Sequence, residues 1–207
     1  YDILHGENRI VFLSLGDLYI ADLAAGTIEP KIQTQYINWF ALSPDGQEVA
    51  IQQITHVAVC DLSTTSDCKD TGVTTQEVSG GVFWRNDGRE IAVIQTDRQL
   101  GYSITHIDRL TLSVRRDERS LPLDRPNTGI VTMYPSLDGQ RIAMVVNENI
   151  YQTVAIVVVD VEGKQQPVML APGHIVRWLD KDTLLCSRGP ANAVQYYVVN
   201  LNQNAAK

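Results

Sequence analysis

The stretch ALSPDGQEVAI, residues 41–51, returns in altered form as VFWRNDGREIAV (82–93) and YPSLDGQRIAM (134–144). Each version sets an Asp-Gly pair between two apolar runs. Glycine reaches positive φ without a Cβ clash, and aspartate hydrogen-bonds the backbone that follows, so the pair folds the chain back on itself as a hairpin. Pro44 contributes a fixed φ early in the first of these turns. The triplets after the turns belong to a longer series: Ile10-Val11-Phe12, Val49-Ala50-Ile51, Ile91-Ala92-Val93, Ile142-Ala143-Met144 and Leu184-Leu185-Cys186, with steps of 39, 42, 51 and 42 residues. Five copies at roughly forty residues match the blade period of a β-propeller.

A second element keeps the same phase. YIADL (19–23), AVCDL (58–62), VVVDV (157–161) and YVVNL (197–201) each follow their triplet, and THIDRLTL (105–112) is the less regular third version. Each copy therefore reads as strand, turn, small apolar strand, polar connection, then a strand ending in Asp or Asn. Ala50, Ala92 and Ala143 leave room for close packing of neighbouring sheets. Val, Ile and Tyr suit half-buried pleated strands, and no stretch holds a capped helical stripe. The expectation is an all-β, single-domain β-propeller over residues 1–207, with repeats near 1–35, 36–77, 78–126, 127–171 and 172–207. LPLDRPNTG (121–129) reads as the longest linker and DRLTLSVRRDERS (108–120) as a solvated edge hairpin. The fifth copy stops after its third strand. A compact five-bladed ring is favoured, against part of a six- to eight-bladed ring or an open stack of sheets; a closing strand would come from residues 1–4 or from upstream.

These residues resemble TolB-type β-propeller repeats, in which Trp-Ser-Pro-Asp-Gly precedes an Ile-Ala-Phe strand and a strand ending in Asp-Leu. The resemblance runs from about residue 3 to 203. Trp84 and Trp178 occupy the tryptophan position, Leu42 and Pro135 replace it, and Ile3 is the first copy's counterpart. The last copy, RWLDKDTLLCS (177–187), lacks the Asp-Gly pair. The resemblance implies a propeller fold and, since such domains are often periplasmic or extracellular, an extracytoplasmic setting.

The chain has 207 residues, 44% hydrophobic and 20% charged, with a net charge of −7. That balance argues against a nucleic-acid partner, which needs a basic face, and against anionic membrane surfaces. No apolar run is long enough to span a bilayer, so direct membrane insertion by this segment is not expected. The start at Tyr1 sets the expectation of a mature or excised piece of a longer protein, with any leader or anchor lying upstream.

Of three cysteines, Cys60 and Cys68 flank residues 61–67. If that stretch is a loop between antiparallel strands, the sulfurs meet at its base, and a disulfide there points outside the cytosol. Cys186 replaces a core position and reads as a buried small hydrophobe. No nucleophile elbow, phosphate loop or His-Glu-x-x-His zinc motif is present. His5, His56, His106 and His174 fall at non-matching offsets, so neither a metal nor a cofactor is expected, and no catalytic residue is assigned. Asp22, Asp61 and Asp160, with Asn200 in the same place, read as acceptors for the next turn's N–H groups. Trp84 and Trp178 read as packing between blades. Tyr36, Trp39 and Phe40, near Asn38, are the candidate binding surface, placed for stacking at a channel mouth. Tyr196 and Tyr197 send one ring to each face of their strand.

The function expected is a non-catalytic protein-binding or scaffold domain, the exported part of a membrane-anchored sensor or regulator, with another protein as partner and the oligomeric state open. The alternatives are a carbohydrate-active or glycan-binding propeller with a central funnel, which needs clustered acids, and a gating propeller for a peptidase on a longer chain.

Overall fold

A computed structural model describes residues 2–4, 8–34, 36–64, 67–74, 81–85, 87–96, 101–122, 129–149, 152–189 and 193–204. Nineteen strands and one short helix arise in chain order among these residues. The first sheet is β1 (Asp2–Leu4), β2 (Arg9–Ser14), β3 (Asp17–Asp22) and β4 (Thr27–Ile32); the second is β5 (Ile37–Leu42), β6 (Glu48–Gln53), β7 (His56–Asp61) and β8 (Cys68–Thr74). The third is β9 (Val82–Trp84), β10 (Glu90–Thr96), β11 (Gly101–Asp108) and β12 (Val114–Ser120). The fourth is β13 (Gly129–Pro135), β14 (Arg141–Asn149), β15 (Gln152–Asp160) and β16 (Val168–Leu170); the fifth is β17 (His174–Trp178), β18 (Thr183–Arg188) and β19 (Gln195–Asn200), followed by α1 (Leu201–Asn204). In each sheet the strands lie in sequence order, and among the described residues the first four sheets have four strands and the fifth has three. This is a β-propeller with five blades. Two compact units divide the chain, Tyr1–Val93 with Thr105–Arg115 and Ile94–Ile104 with Arg116–Lys207.

The recurring hairpin is a four-residue loop with a defined bonding scheme. In the second sheet the Ser43 N–H donates to the Glu48 carbonyl at 2.9 Å and the Gly46 N–H to the Ser43 carbonyl at 2.8 Å. Ser43 Oγ donates to Asp45 Oδ1 at 2.6 Å and accepts from the Glu48 N–H at 2.9 Å. The fourth sheet repeats this with Ser136, Asp138 and Arg141 at 2.6 and 2.9 Å. Gly46, Gly88 and Gly139 have φ of 69°, 64° and 62°, the left-handed values that make glycine the residue of choice.

The three middle triplets are the buried centres of their sheets: Val49, Ala50, Ile51, Ile91, Ala92, Val93, Ile142, Ala143 and Met144 are all fully buried, while Ile10, Phe12 and Leu185 of the outer two are partly buried. Alternate residues serve different cores. Val49 and Ile51 join Val11, Leu18 and Ile20 of the first sheet, while Ala50 joins Val82, Trp84, Ile91 and Ile107 of the third. A strand buried on both faces is what a blade between two blades requires. In the other unit, Ala143, Val145, Ile156 and Val158 pack with Trp178, Leu184, Cys186 and Val199.

The two tryptophans join neighbouring sheets by hydrogen bonds as well as packing. Trp84 Nε1–H donates to the Ala41 carbonyl at 2.9 Å, and Trp178 Nε1–H donates to the Tyr134 carbonyl at 2.9 Å. Ala41 and Tyr134 hold the same place in their repeats, four residues before the turn aspartate. The first strands of the second, fourth and fifth sheets each carry a one-residue bulge, at Asn38, Val131 and Val176, where register shifts against the neighbouring strand. A bulge leaves one residue out of the ladder and turns it aside, which accounts for the exposure of Val131 and Val176. The charge-rich β12 lies at one edge of the third sheet with mostly exposed side chains, as a solvated edge hairpin requires. Most of the linker read at 121–129, and His5, lie outside the described residues.

Candidate functional site

Tyr36 precedes β5 and is 60% exposed. The Ile37 N–H donates to the Gly16 carbonyl at 3.0 Å, and its side chain is buried, which fixes where β5 begins. The bulge at Asn38 then sets the phase of the residues that follow. Trp39 shares a face with Ala41, which packs toward the third-sheet core, while Phe40 and Leu42 pack into the core shared with the first sheet. Tyr36 and Trp39 present exposed rings, and Phe40 is used in packing.

Trp39 is 40% exposed, yet its ring is held on one side. A Cβ placed on Gly81 would meet Trp39 Cε2 at 2.9 Å and Nε1 at 3.0 Å. Only a residue without a side chain lets the indole lie against the backbone there. Directly opposite Trp39 in the ladder is Gln52. It is 1% exposed, and its Oε1 has no hydrogen-bond partner among the described residues. Cross-strand neighbours share a face, so a buried acceptor sits beside the half-exposed indole. Sequence reading passed over Gln52. The signal was an amide in a strand position that Ile94 fills in the third sheet.

A cavity of about 580 Å³ opens in the same unit, with Ile32, Ile51 and Ala58 as apolar lining and Lys31, His56 and Asp70 among its polar residues. His56 Nδ1 lies 3.1 Å from Thr55 Oγ1, and buried His106 has Nδ1 2.5 Å from Glu90 Oε1, while His174 is exposed.

The recurring strand-end carboxylates are turn acceptors. Asp22 Oδ1 takes the N–H groups of Ala24 and Ala25 at 2.9 and 2.8 Å. Asp61 takes that of Ser63 at 2.7 Å, Asp160 that of Glu162 at 2.8 Å, and Asn200 Oδ1 that of Asn202 at 3.0 Å. Asp108, in the less regular copy, accepts from Leu110 and Thr111 at 3.0 and 2.8 Å. Their position follows from the local backbone of the turn.

Arg109 ties the second and third sheets. Its Nε lies 2.6 Å from Glu48 Oε2 and its Nη1 3.2 Å from Asp45 Oδ2, with the guanidinium 5.6 Å from the Trp84 ring centre. Arg141 makes the equivalent tie to Asp182 in the other unit. The Asp45 carboxyl is held below its ordinary value of 3.8, first by the Ser43 hydroxyl, then by the Gln47 N–H and Arg109. Asp61 and Asp108 are lowered by their turn hydrogen bonds, from Ser63 and Thr111 first. A carboxyl lowered in the folded state stabilises fully above its unfolded value and loses that contribution as pH falls through the folded value. Urea midpoints are therefore expected to hold from pH 7 down to about 5 and to fall below about 4. Asp45→Asn should be less stable at pH 7 and show a shallower acid decline; an acid decline as steep as that of the unaltered protein would remove Asp45 from the account.

Cys60 and Cys68 form a disulfide across directly paired positions of β7 and β8. Cys186 is a free, fully buried thiol whose pKa is raised by that burial.

No protein-family profile and no curated protein matches the chain. Solved structures do. A protein assigned as TolB from Agrobacterium tumefaciens is 16% identical with a TM-score of 0.61, over 94% of this chain and 73% of that one. The tricorn protease is 15% identical at 0.58, over 95% of this chain and 20% of that one. A chain of a mitotic checkpoint complex is 14% identical at 0.61, over 95% of this chain and 60% of that one. The chain thus spans a fifth of the protease and three-fifths of the checkpoint chain. At such identities the likeness establishes a shared fold, that of a β-propeller.

Proposed function

We propose that this propeller is a non-catalytic scaffold that binds another protein, and that it works outside the cytosol as the exported part of a membrane-anchored sensor or regulator. The observation that carries the binding role is the pair Tyr36 and Trp39. Two exposed aromatic rings stand at the start of one strand, one of them braced against Gly81 and set beside the buried acceptor of Gln52. Tryptophan and tyrosine are among the residues most enriched at interface hot spots. The checkpoint complex offers a precedent for this fold inside a protein assembly, by likeness of fold alone. The Cys60–Cys68 bridge supports the oxidising compartment.

A photo-reactive side chain at position 36, introduced in the native host, is expected to capture one dominant protein. Trp39→Ala should weaken that complex about 30-fold or more, the loss typical of a hot spot. Capture undiminished by Trp39→Ala, or Trp39-dependent binding to a glycan array with no protein captured, would replace this reading.

A further inference from the structure

The cavity of about 580 Å³ lies wholly within the first compact unit. Its size is that of a small-molecule site, for which roughly 300–1,000 Å³ is usual. The lining comes from residues 30–34, at the end of β4, and from β6, β7 and β8. The floor is apolar. Ile51 lies opposite Ala58 in the ladder and Ala58 opposite Asp70, and cross-strand neighbours share a face. Ile51 and Ala58 pack with Ile32 in the core common to the first and second sheets. The cavity is the outward continuation of that core, with Asp70 on one wall and Lys31 contributed by β4.

The wall that carries Asp70 is held by several bonds. Between the pairs Ala58↔Asp70 and His56↔Thr74, β7 advances two residues while β8 advances four. β8 bulges there, with Gly72 at φ 72° and nothing within 4 Å of the position a Cβ would take. The backbone bend, and no shortage of space, calls for glycine. Asp70 Oδ1 accepts the Gly72 N–H at 2.8 Å, and Thr71 Oγ1 donates to the Val57 carbonyl at 2.7 Å. The Cys60–Cys68 bridge pins the strand two residues before Asp70. The carboxylate is thus oriented by the turn, which leaves Oδ2 for a second partner.

Lys31 and Asp70 are opposite charges on one cavity, and neither is engaged in an ion pair among the described residues. One cation is too few for a phosphate-rich ligand, which recruits several. One carboxylate is too few for calcium, which takes about six to eight oxygen ligands. A wholly apolar ligand would cover both charges without pairing either. A molecule with one carboxylate, one ammonium group and an aliphatic body meets the two charges and the floor together.

We propose that this cavity binds a small aliphatic zwitterion, a hydrophobic amino acid or its dipeptide, with the carboxylate on Lys31, the ammonium on Asp70 and the side chain over Ile32, Ile51 and Ala58. This goes beyond the aromatic surface at β5 and does not depend on it.

Ligand-observed NMR titration of the full chain with leucine and with leucyl-leucine tests this. The tighter of the two is expected to bind with a Kd of about 0.1 mM, and their order tells free amino acid from peptide. Isocaproate, which lacks the ammonium group, and isoamylamine, which lacks the carboxylate, should each bind about 10- to 100-fold more weakly, the loss of one charged hydrogen bond. Lys31→Gln should weaken leucine by a similar factor and leave isoamylamine unchanged. Asp70→Asn, which keeps an acceptor for the Gly72 N–H, should weaken leucine and leave isocaproate unchanged. Trp39→Ala should leave leucine binding as it is, which separates this site from the protein-binding surface. No binding of leucine or leucyl-leucine at millimolar concentration, a one-charge analogue binding as tightly as leucine, or an affinity that both substitutions leave unmoved would each overturn the proposal.

Discussion

Trp84→Ala is expected to destabilise the protein by about 3–5 kcal/mol, the range for a buried aromatic truncated in a packed core. Three contributions are lost at once. The indole fills the space between the second and third sheets with Ala50, Val82 and Ile91. Its N–H satisfies the Ala41 carbonyl, and its face carries the Arg109 guanidinium that also holds Asp45 and Glu48. Trp84→Phe separates the packing from the bond. It keeps an aromatic ring but leaves the Ala41 carbonyl without its donor, a loss of about 1–3 kcal/mol. Trp178→Ala and Trp178→Phe should repeat the pattern through Tyr134. Urea unfolding checks both, with the midpoint falling and the slope unchanged. A Trp84→Phe protein as stable as the original would show that the bond contributes nothing net.

The same tryptophans mark how far the sequence could be read. Their place before the turn, and their role in packing between sheets, follow from the repeat. Their acceptors do not, because Ala41 and Tyr134 contribute a backbone carbonyl, which is the same for every side chain. The turns were legible because Asp-Gly has a local reason to be there. The serine that completes the turn, Ser43 or Ser136, was less so, since Arg85 stands in its place in the third copy. The three-stranded fifth sheet was visible as a repeat that ends early. At the candidate site, the division of Trp39 and Phe40 between two faces rests on the bulge at Asn38. A bulge shifts the alternation of a strand by one residue, and nothing in INWFAL (37–42) announces it. Gln52 and Gly81 matter only through contacts made by folding, across a ladder and between two sheets. Local pattern can identify an element, whereas a contact of that kind has no local signature.

Removing the Cys60–Cys68 bridge as the double alanine variant is expected to lower stability by about 2–3 kcal/mol, from the chain entropy that closing so short a loop removes from the unfolded state. Alanine suits the test because Cys60 is 2% exposed and packs beside Ala58 and Leu62, where a serine hydroxyl would add a burial cost of its own. Cys60 and Cys68 face each other in register, and the Asp61 N–H closes the loop onto the Asp67 carbonyl at 3.2 Å. The ladder therefore brings the two strands together without the covalent link, so the variant should fold. Its loss should appear as faster amide exchange along β8, whose ladder with β7 already shifts register between His56 and Ala58. Thiol titration of the unaltered protein in denaturant should find one reactive thiol, Cys186, before reduction and three after it. Three thiols without reductant, from protein isolated under oxidising conditions, would remove the bridge and with it the chief physical support for an extracytoplasmic setting. A double alanine variant with undiminished stability and β8 exchange would mean that β-pairing alone holds the loop.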